Sequence, residues 1–462
     1  FDKVDYQNLM RETLLSPAKI KWLAARAGAT TLPESDSATM ATMLPVGLTM
    51  NGLTDEALLA LHAFIPNLKF QVGAAGSVVD GDHYENVILE PGSSITIPLF
   101  RGDINGGALG TVTEVVDNHV FAFGHSWNGV GGVKFPMATA YIHSFVNLNT
   151  LSFKLGYSLD IVGTLLADEA AAIYGQVGDS VDFVPLEFNM DWVYLNEQET
   201  FNVEVVRDEK MTPLYCAIAY MNALLYRGGV PKENNATLDV KMTFDKIAPI
   251  EYTNIASGNL ANIVANELFS VLGLIMNNPW TRVELTGLKL DMRIDSDDGI
   301  DVVKAVKIDK RYYKPGESVK VNFEIEPLRS GTFQESVRLQ LPDDLSDGRY
   351  VVEVGGPKVY ESALRNTKKH LFNAYDIDGV QRILQQRVSI PRNAIYMVIA
   401  AKGQGVAMDD YAFEYLPESR ATLLGDTSRS VNIVKYKQLL FASKKMSHHI
   451  AGHHRFTIQV KH

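Results

Sequence analysis

Hydrophobic and polar positions follow two different periods along the chain, and the switches between them mark the elements. Over residues 8–27 (NLMRETLLSPAKIKWLAARA) Leu and Ile recur at helical spacing around Pro17, and a Thr/Pro/Ser/Asp-rich linker runs on to about Met43. LPVGLTMNG reads as a short strand, TDEALLALHAF as a helix with Thr54 as its N-cap and its end near Ile65, and KFQVGAAG as a second strand. This is a β-α-β pattern, followed by a mobile acidic loop, VVDGDHYEN.

From Ile95 to about Asn189 the runs are short, rich in Val, Ile, Thr and Phe, and punctuated by Gly and Asn, which predicts strands. GALGTVTEVVDNHVFAFGH predicts a hairpin turning at Asp117-Asn118, two residues that tolerate positive φ, and it puts His125 where the second strand ends. YCAIAYMNALLYR (215–227) and NLANIVANELFSVLGLIM (259–276) carry helical spacing and stop at Gly or Asn-Pro. From Val283 onward, period-two alternation broken by Pro-Gly and Asp-Gly turns predicts a β-sandwich, interrupted by a helical excursion over 361–387. AIYMVIAA, SVNIVKYKQLLFA and RFTIQVKH supply its last strands.

Composition narrows the classes. A chain of 462 residues is too long for one core and calls for two to four domains. Apolar residues at 46% and charged residues at 21% are those of an ordinary folded protein. The formal charge of -11 and the scattered Lys and Arg argue against nucleic acid as the main partner. One cysteine, Cys216, rules out an intrachain disulfide and a multi-cysteine zinc site. The longest apolar stretch, Ile255 to Met276, contains Asn259, Asn262, Asn266 and Glu267, so it reads as a core helix and not as a membrane span. No cofactor is expected: GHSWNGVGG is glycine-rich but has neither the lysine of a phosphate loop nor dinucleotide spacing.

The candidate chemistry centres on FAFGHSWNGVGGVKFPMATAYIHSF, where a histidine beside glycine at a strand end has the placement a general base needs. A buried or turn-capping role for His125 fits the same local sequence. Asp103 and Asp117 are candidate orienting carboxylates, and Asp117 is equally explained as a turn residue. Ser126, Ser144, Ser152 and Ser158 are the local hydroxyls, each also explained by backbone hydrogen bonding. Two further constellations stand apart. HHIAGHH gathers His448, His449, His453 and His454 within seven residues, a candidate site for Zn²⁺, Ni²⁺ or Cu²⁺ or else an exposed hairpin tip. IDSDDGIDV carries closely spaced oxygen ligands for Ca²⁺ but lacks the glutamate that completes an EF-hand, and also reads as a solvated turn.

GALGTVTEVVDNHVFAFGHSW, FPMATAYIHSF and LSFKLGYSLDIVGTLLADEAAAIYGQVG, in that order, resemble the stage IV sporulation protein B family of serine peptidases. The resemblance is to its long exported bacterial members, whose later part continues into a sandwich, and it runs from about Leu44 through KPGESVKV, LPDDLSDGRYVVEVGG and FEYLPESRATLL. It implies a trypsin-like double β-barrel, and with the pattern read above the expected protein is mainly β with α/β parts: an N-terminal α/β segment over 1–95, a peptidase-like β-barrel region with two helices over 96–282, and an Ig-like β-sandwich with a helical insertion over 283–462. It also implies a periplasmic or cell-envelope location and gives His125, of the FGH motif, the role of base. The family's nucleophile sits in a GMSGSP-like motif, which in the long members lies upstream, and no such motif occurs between Phe1 and His462.

A base without a nucleophile performs no covalent acyl transfer. The expected function is therefore a non-catalytic structural or self-assembling exported protein on a peptidase-like fold. The alternative is a serine endopeptidase, or its processed fragment, with His125 acting on a serine from an upstream segment. Because Phe1 is not an initiator residue, cleavage near Phe1 is expected, together with homo-oligomerisation to cover the strand edges that cleavage exposes.

Overall fold

The computed structural model describes residues 47–57, 59, 71–74, 87–127, 129, 131–146, 153–178, 181–297, 299–327, 331–408, 411–413 and 433–462. The helix expected over 8–27, the linker after it, the acidic loop 78–86, Ser152 and most of FEYLPESRATLL lie outside these residues. The fold is mainly β, with 53% of the described residues in strands and 19% in helices, spread over several sheets.

The first described strands, β1 (Gly47–Asn51) and β2 (Gln71–Ala74), pair in parallel as a β-α-β pattern requires. Between them Thr54 caps a helical turn: its Oγ1 accepts the amide hydrogen of Ala57 at 3.1 Å. Six strands follow: β3 (Ser94–Gly102), β4 (Asn105–Val116), β5 (His119–Ala122), β6 (Gly131–Val146), β7 (Phe153–Asp168) and β8 (Ile173–Val177). Their pairings run β3–β6–β7–β8–β5–β4 and return to β3, so the six close into a ring. The β4–β5 hairpin turns where its sequence predicts, with Asp117 at φ 54°.

Outside the ring, β3 continues through β10 (Glu197–Val206) into β9 (Phe183–Trp192), β13 (Leu285–Asp295), β11 (Asn235–Phe244) and β12 (Ile250–Ala256). Alternate residues of these strands are buried, which leaves one face for the two helices α1 (Thr212–Leu225) and α2 (Leu260–Met276). α1 is apolar all round and almost wholly buried, and α2 starts at Asn259, whose side chain accepts the amide hydrogen of Asn262. The strand β13 departs from the expected domain boundary. Its alternation assigns it to the sandwich, yet it pairs in parallel with β9 and antiparallel with β11 in the large sheet. Period two records that one face is buried, not which sheet lies alongside.

The remaining strands form two sheets. One contains β14 (Ile300–Ile308), β16 (Ser318–Pro327), β17 (Phe333–Gln340) and β22 (His449–Ala451). The other contains β15 (Tyr312–Tyr313), β18 (Gly348–Gly355), β19 (Ala394–Met408), β20 (Tyr411–Phe413), β21 (Ile433–Lys445) and β23 (His453–Val460). Val321 and Phe323 of the first sheet share one core with Val352, Ile399 and Ile458 of the second. The helical excursion resolves into α3 (Pro357–Thr367) and α4 (Ile377–Val388), with a short 3₁₀ turn at Lys369–Phe372 between them.

These helices join the two halves of the molecule. α4 buries Ile377, Val380, Ile383 and Leu384 in the core of the large sheet, whereas α3 packs Val359 and Leu364 against Tyr396 and Val398 of β19. At the joint the Asn254 amide donates to the carbonyls of Val388 and Ile390, both at 2.9 Å, and accepts the Arg392 amide hydrogen at 3.0 Å. The Arg392 guanidinium pairs with Glu267, which also accepts the Tyr252 hydroxyl at 2.6 Å. Glu267 and Arg392 keep 15% and 19% of their side-chain surface, so each charge depends on the other.

Candidate functional site

His125 sits on the connection from β5 to β6, three residues beyond the end of β5. Two consecutive left-handed residues, Phe123 at φ 73° and Gly124 at φ 72°, turn the chain out of the strand and leave the imidazole exposed. An aromatic residue in that region is uncommon and costs free energy, so its surroundings must hold it. The Phe123 amide donates to the Thr111 carbonyl at 2.9 Å, and its ring covers Gly110, where any Cβ would lie 2.1 Å from the ring.

The ring of His125 tilts against Phe123 with centroids 5.9 Å apart, and its Nδ1 lies 2.7 Å from the carbonyl oxygen of Ser126. A carbonyl only accepts, so Nδ1 carries the proton and Nε2 of the neutral ring keeps its lone pair. That tautomer is the one in which Nε2 acts as a base.

The rest of the loop is held by Asp168, the last residue of β7, which is 0% exposed. Its Oδ1 accepts the amide hydrogen of Trp127 at 2.7 Å and its Oδ2 that of Gly129 at 2.8 Å. Trp127 is itself buried and packs edge-on against Phe135 at 5.5 Å. A carboxylate thus does for this loop what paired strands do elsewhere, by accepting from backbone amides. Sequence reasoning passes over Asp168: an acid closing the run LLAD, followed by another acid, reads as the polar edge of a turn.

The other sequence candidates lie apart from His125. Asp103 accepts the Asn202 amide hydrogen at 2.6 Å, which ties the turn between β3 and β4 to β10, and Asp117 is the hairpin turn residue. Ser158 accepts the Thr96 hydroxyl at 2.9 Å, Ser144 is exposed on β6, and Ser126 meets the imidazole through its carbonyl and not its hydroxyl. Among the described residues no serine hydroxyl is hydrogen-bonded to His125.

The four histidines of HHIAGHH make different contacts. His448 Nδ1 lies 3.1 Å from the carboxylate of the buried Asp301, His453 lies 3.8 Å from Glu353, and His454 Nε2 lies 2.8 Å from the Val303 carbonyl. His449 and His453 line one cavity of about 580 Å³ together with Glu353, Lys358 and Ser362. Burial, with Arg392 and Lys358 adding to it, pushes the His449 imidazole below the ordinary range. β22 and β23 belong to different sheets, yet both border β14, where His448 meets Asp301 and His454 the Val303 carbonyl. Of the IDSDDGIDV acids, Asp301 is committed to His448 and Asp295 faces Arg293, and among the described residues no three His, Cys, Asp or Glu side chains gather for a metal ion.

Among the described residues no helix is long and apolar enough to cross a membrane. No family model, no curated protein and no solved structure matches this chain.

Proposed function

We propose that these residues are the base-bearing part of an exported protein of the stage IV sporulation protein B type, with His125 as the general base. The serine comes, in this reading, from a segment other than residues 1–462. The observation that carries it is the state of His125: its Nδ1–H is tied to a carbonyl, its Nε2 lone pair is open, and its loop is clamped by a buried carboxylate. The closed ring of six strands accords with a trypsin-like barrel, and the two C-terminal sheets around one core accord with an Ig-like sandwich.

In such a site Nε2 takes the serine proton as the hydroxyl attacks a peptide carbonyl, and then returns it to the leaving amine. Without the serine, residues 1–462 act as a non-catalytic scaffold. A fluorophosphonate probe tests this. It should leave the 462-residue chain unlabelled and label the product of the whole open reading frame, with labelling lost in His125→Ala. Labelling of the 462-residue chain, or none of the whole product, would overturn the reading.

A self-assembling structural role is the second reading. It is favoured by the long β6–β7 hairpin, which carries Phe145 with 66% of its surface exposed. Native mass spectrometry at micromolar concentration should then show an oligomer, and a stable monomer would dismiss this second role.

A further inference from the structure

Lys154, the second residue of β7, is a half-buried cation whose Nζ donates to the Thr111 hydroxyl at 2.6 Å. Among the described residues no carboxylate lies within ion-pair distance of it, whereas the half-buried Arg207 is matched by Glu284 and Arg392 by Glu267. Removing an ammonium from water without a counter-charge costs free energy, and a hydroxyl offsets only part of that cost. Burial accordingly holds its ammonium below the ordinary lysine value.

The position of this cation matters as much as its isolation. Thr111, which receives the ammonium, also receives the Phe123 amide on its carbonyl at 2.9 Å, and the Phe123 ring packs on His125. Lys154, Thr111, Phe123 and His125 thus form one connected group, with the cation at one end and the open Nε2 at the other. The hydroxyl fixes the ammonium in place, so a ligand meets a preorganised charge.

We propose that Lys154 is an anchor for a carboxylate of a peptide bound along the His125 loop, and so sets a preference for substrates that carry such a group. As a substrate subsite it rests on the reading of His125 as a base; as a carboxylate site it stands alone. The carboxylate is either a free C-terminus or an acidic side chain, since both present the same two oxygens.

Calorimetry on the 462-residue chain with N-acetyl-trialanine, its C-terminal amide, and N-acetyl-alanyl-glutamyl-alanine amide separates the two sources. Binding of the first alone marks a C-terminus anchor, and binding of the third marks an acidic side-chain subsite. Lys154→Gln should weaken binding about tenfold or more, Lys154→Arg should restore most of it, and His125→Ala should leave it in place. As an independent readout, the bound peptide should slow acetylation of Lys154 by N-hydroxysuccinimidyl acetate, followed residue by residue by mass spectrometry. Equal binding of the neutral tripeptide amide, no binding of any probe, or an unchanged affinity in Lys154→Gln would overturn the assignment. A Lys154 site that binds while the whole product resists the fluorophosphonate would refute the base and keep the anchor.

Discussion

Removing the carboxylate of Asp168 strands the amide of the buried Trp127 and takes the acceptor from that of the exposed Gly129. A buried stranded donor costs on the order of 1–3 kcal/mol, so Asp168→Ala should lose about 1–3 kcal/mol in urea unfolding and open the loop around His125 to limited proteolysis. His125→Ala, at an exposed position, should stay within about 0.5 kcal/mol of the parent in the same experiment. The contrast separates the residue that holds the loop from the one it presents. Cys216 gives another test at this scale. Complete burial pushes its thiol far up, so an aromatic disulfide reagent at pH 8 should leave it untouched in the native chain and modify it once the chain is unfolded. His125 and Cys216 are both legible in the sequence, as a glycine-flanked histidine and a cysteine inside an apolar helix. Asp168 is not, because its two partners lie some forty residues away.

The elements of the large sheet follow from local pattern, but their cohesion with the C-terminal sheets depends on one joint. There α2 contributes Glu267, β12 contributes Tyr252 and Asn254, and the segment after α4 contributes Arg392. Arg392→Ala strips a mostly buried carboxylate of its counter-charge and should cost about 3–5 kcal/mol in urea unfolding. The double change Arg392→Met with Glu267→Gln should cost clearly less, since it removes the stranded charge along with the pair. Equal losses in the two variants would show that packing, and not charge compensation, holds the joint. Neither Glu267 nor Arg392 announces this role in sequence. Glu267 reads as the polar interruption that keeps α2 out of a membrane, and Arg392 as a loop residue.

For the whole molecule, two imidazoles make stability depend on pH. Burial pushes His449 and His370 down, aided by Arg392 and Lys358 at the first and Lys368 at the second. A histidine depressed in the folded state takes its proton first in the unfolded chain, so stability falls as pH drops below the ordinary imidazole value near 6.5. Unfolding at pH 5.5 should need less urea than at pH 7.5, and His449→Gln should flatten that slope; an unchanged slope would assign the dependence to other groups. Taken alone, the sequence determined the local outcome: which of the described runs are strands and which helices, the turn at Asp117, the cap at Thr54, and the placement of His125 just past a strand end. These depend on side-chain period, turn chemistry and capping, all set within a few residues of chain. Only the tertiary structure decided that six strands close into a ring, that Leu285–Asp295 joins the large sheet, that Asp168 reaches back to the His125 loop, and that His448 meets the buried Asp301. An alternating run specifies that one of its faces needs cover, and any apolar face satisfies that need equally. The choice among covers is made by contacts between residues far apart in the chain, which no local period encodes.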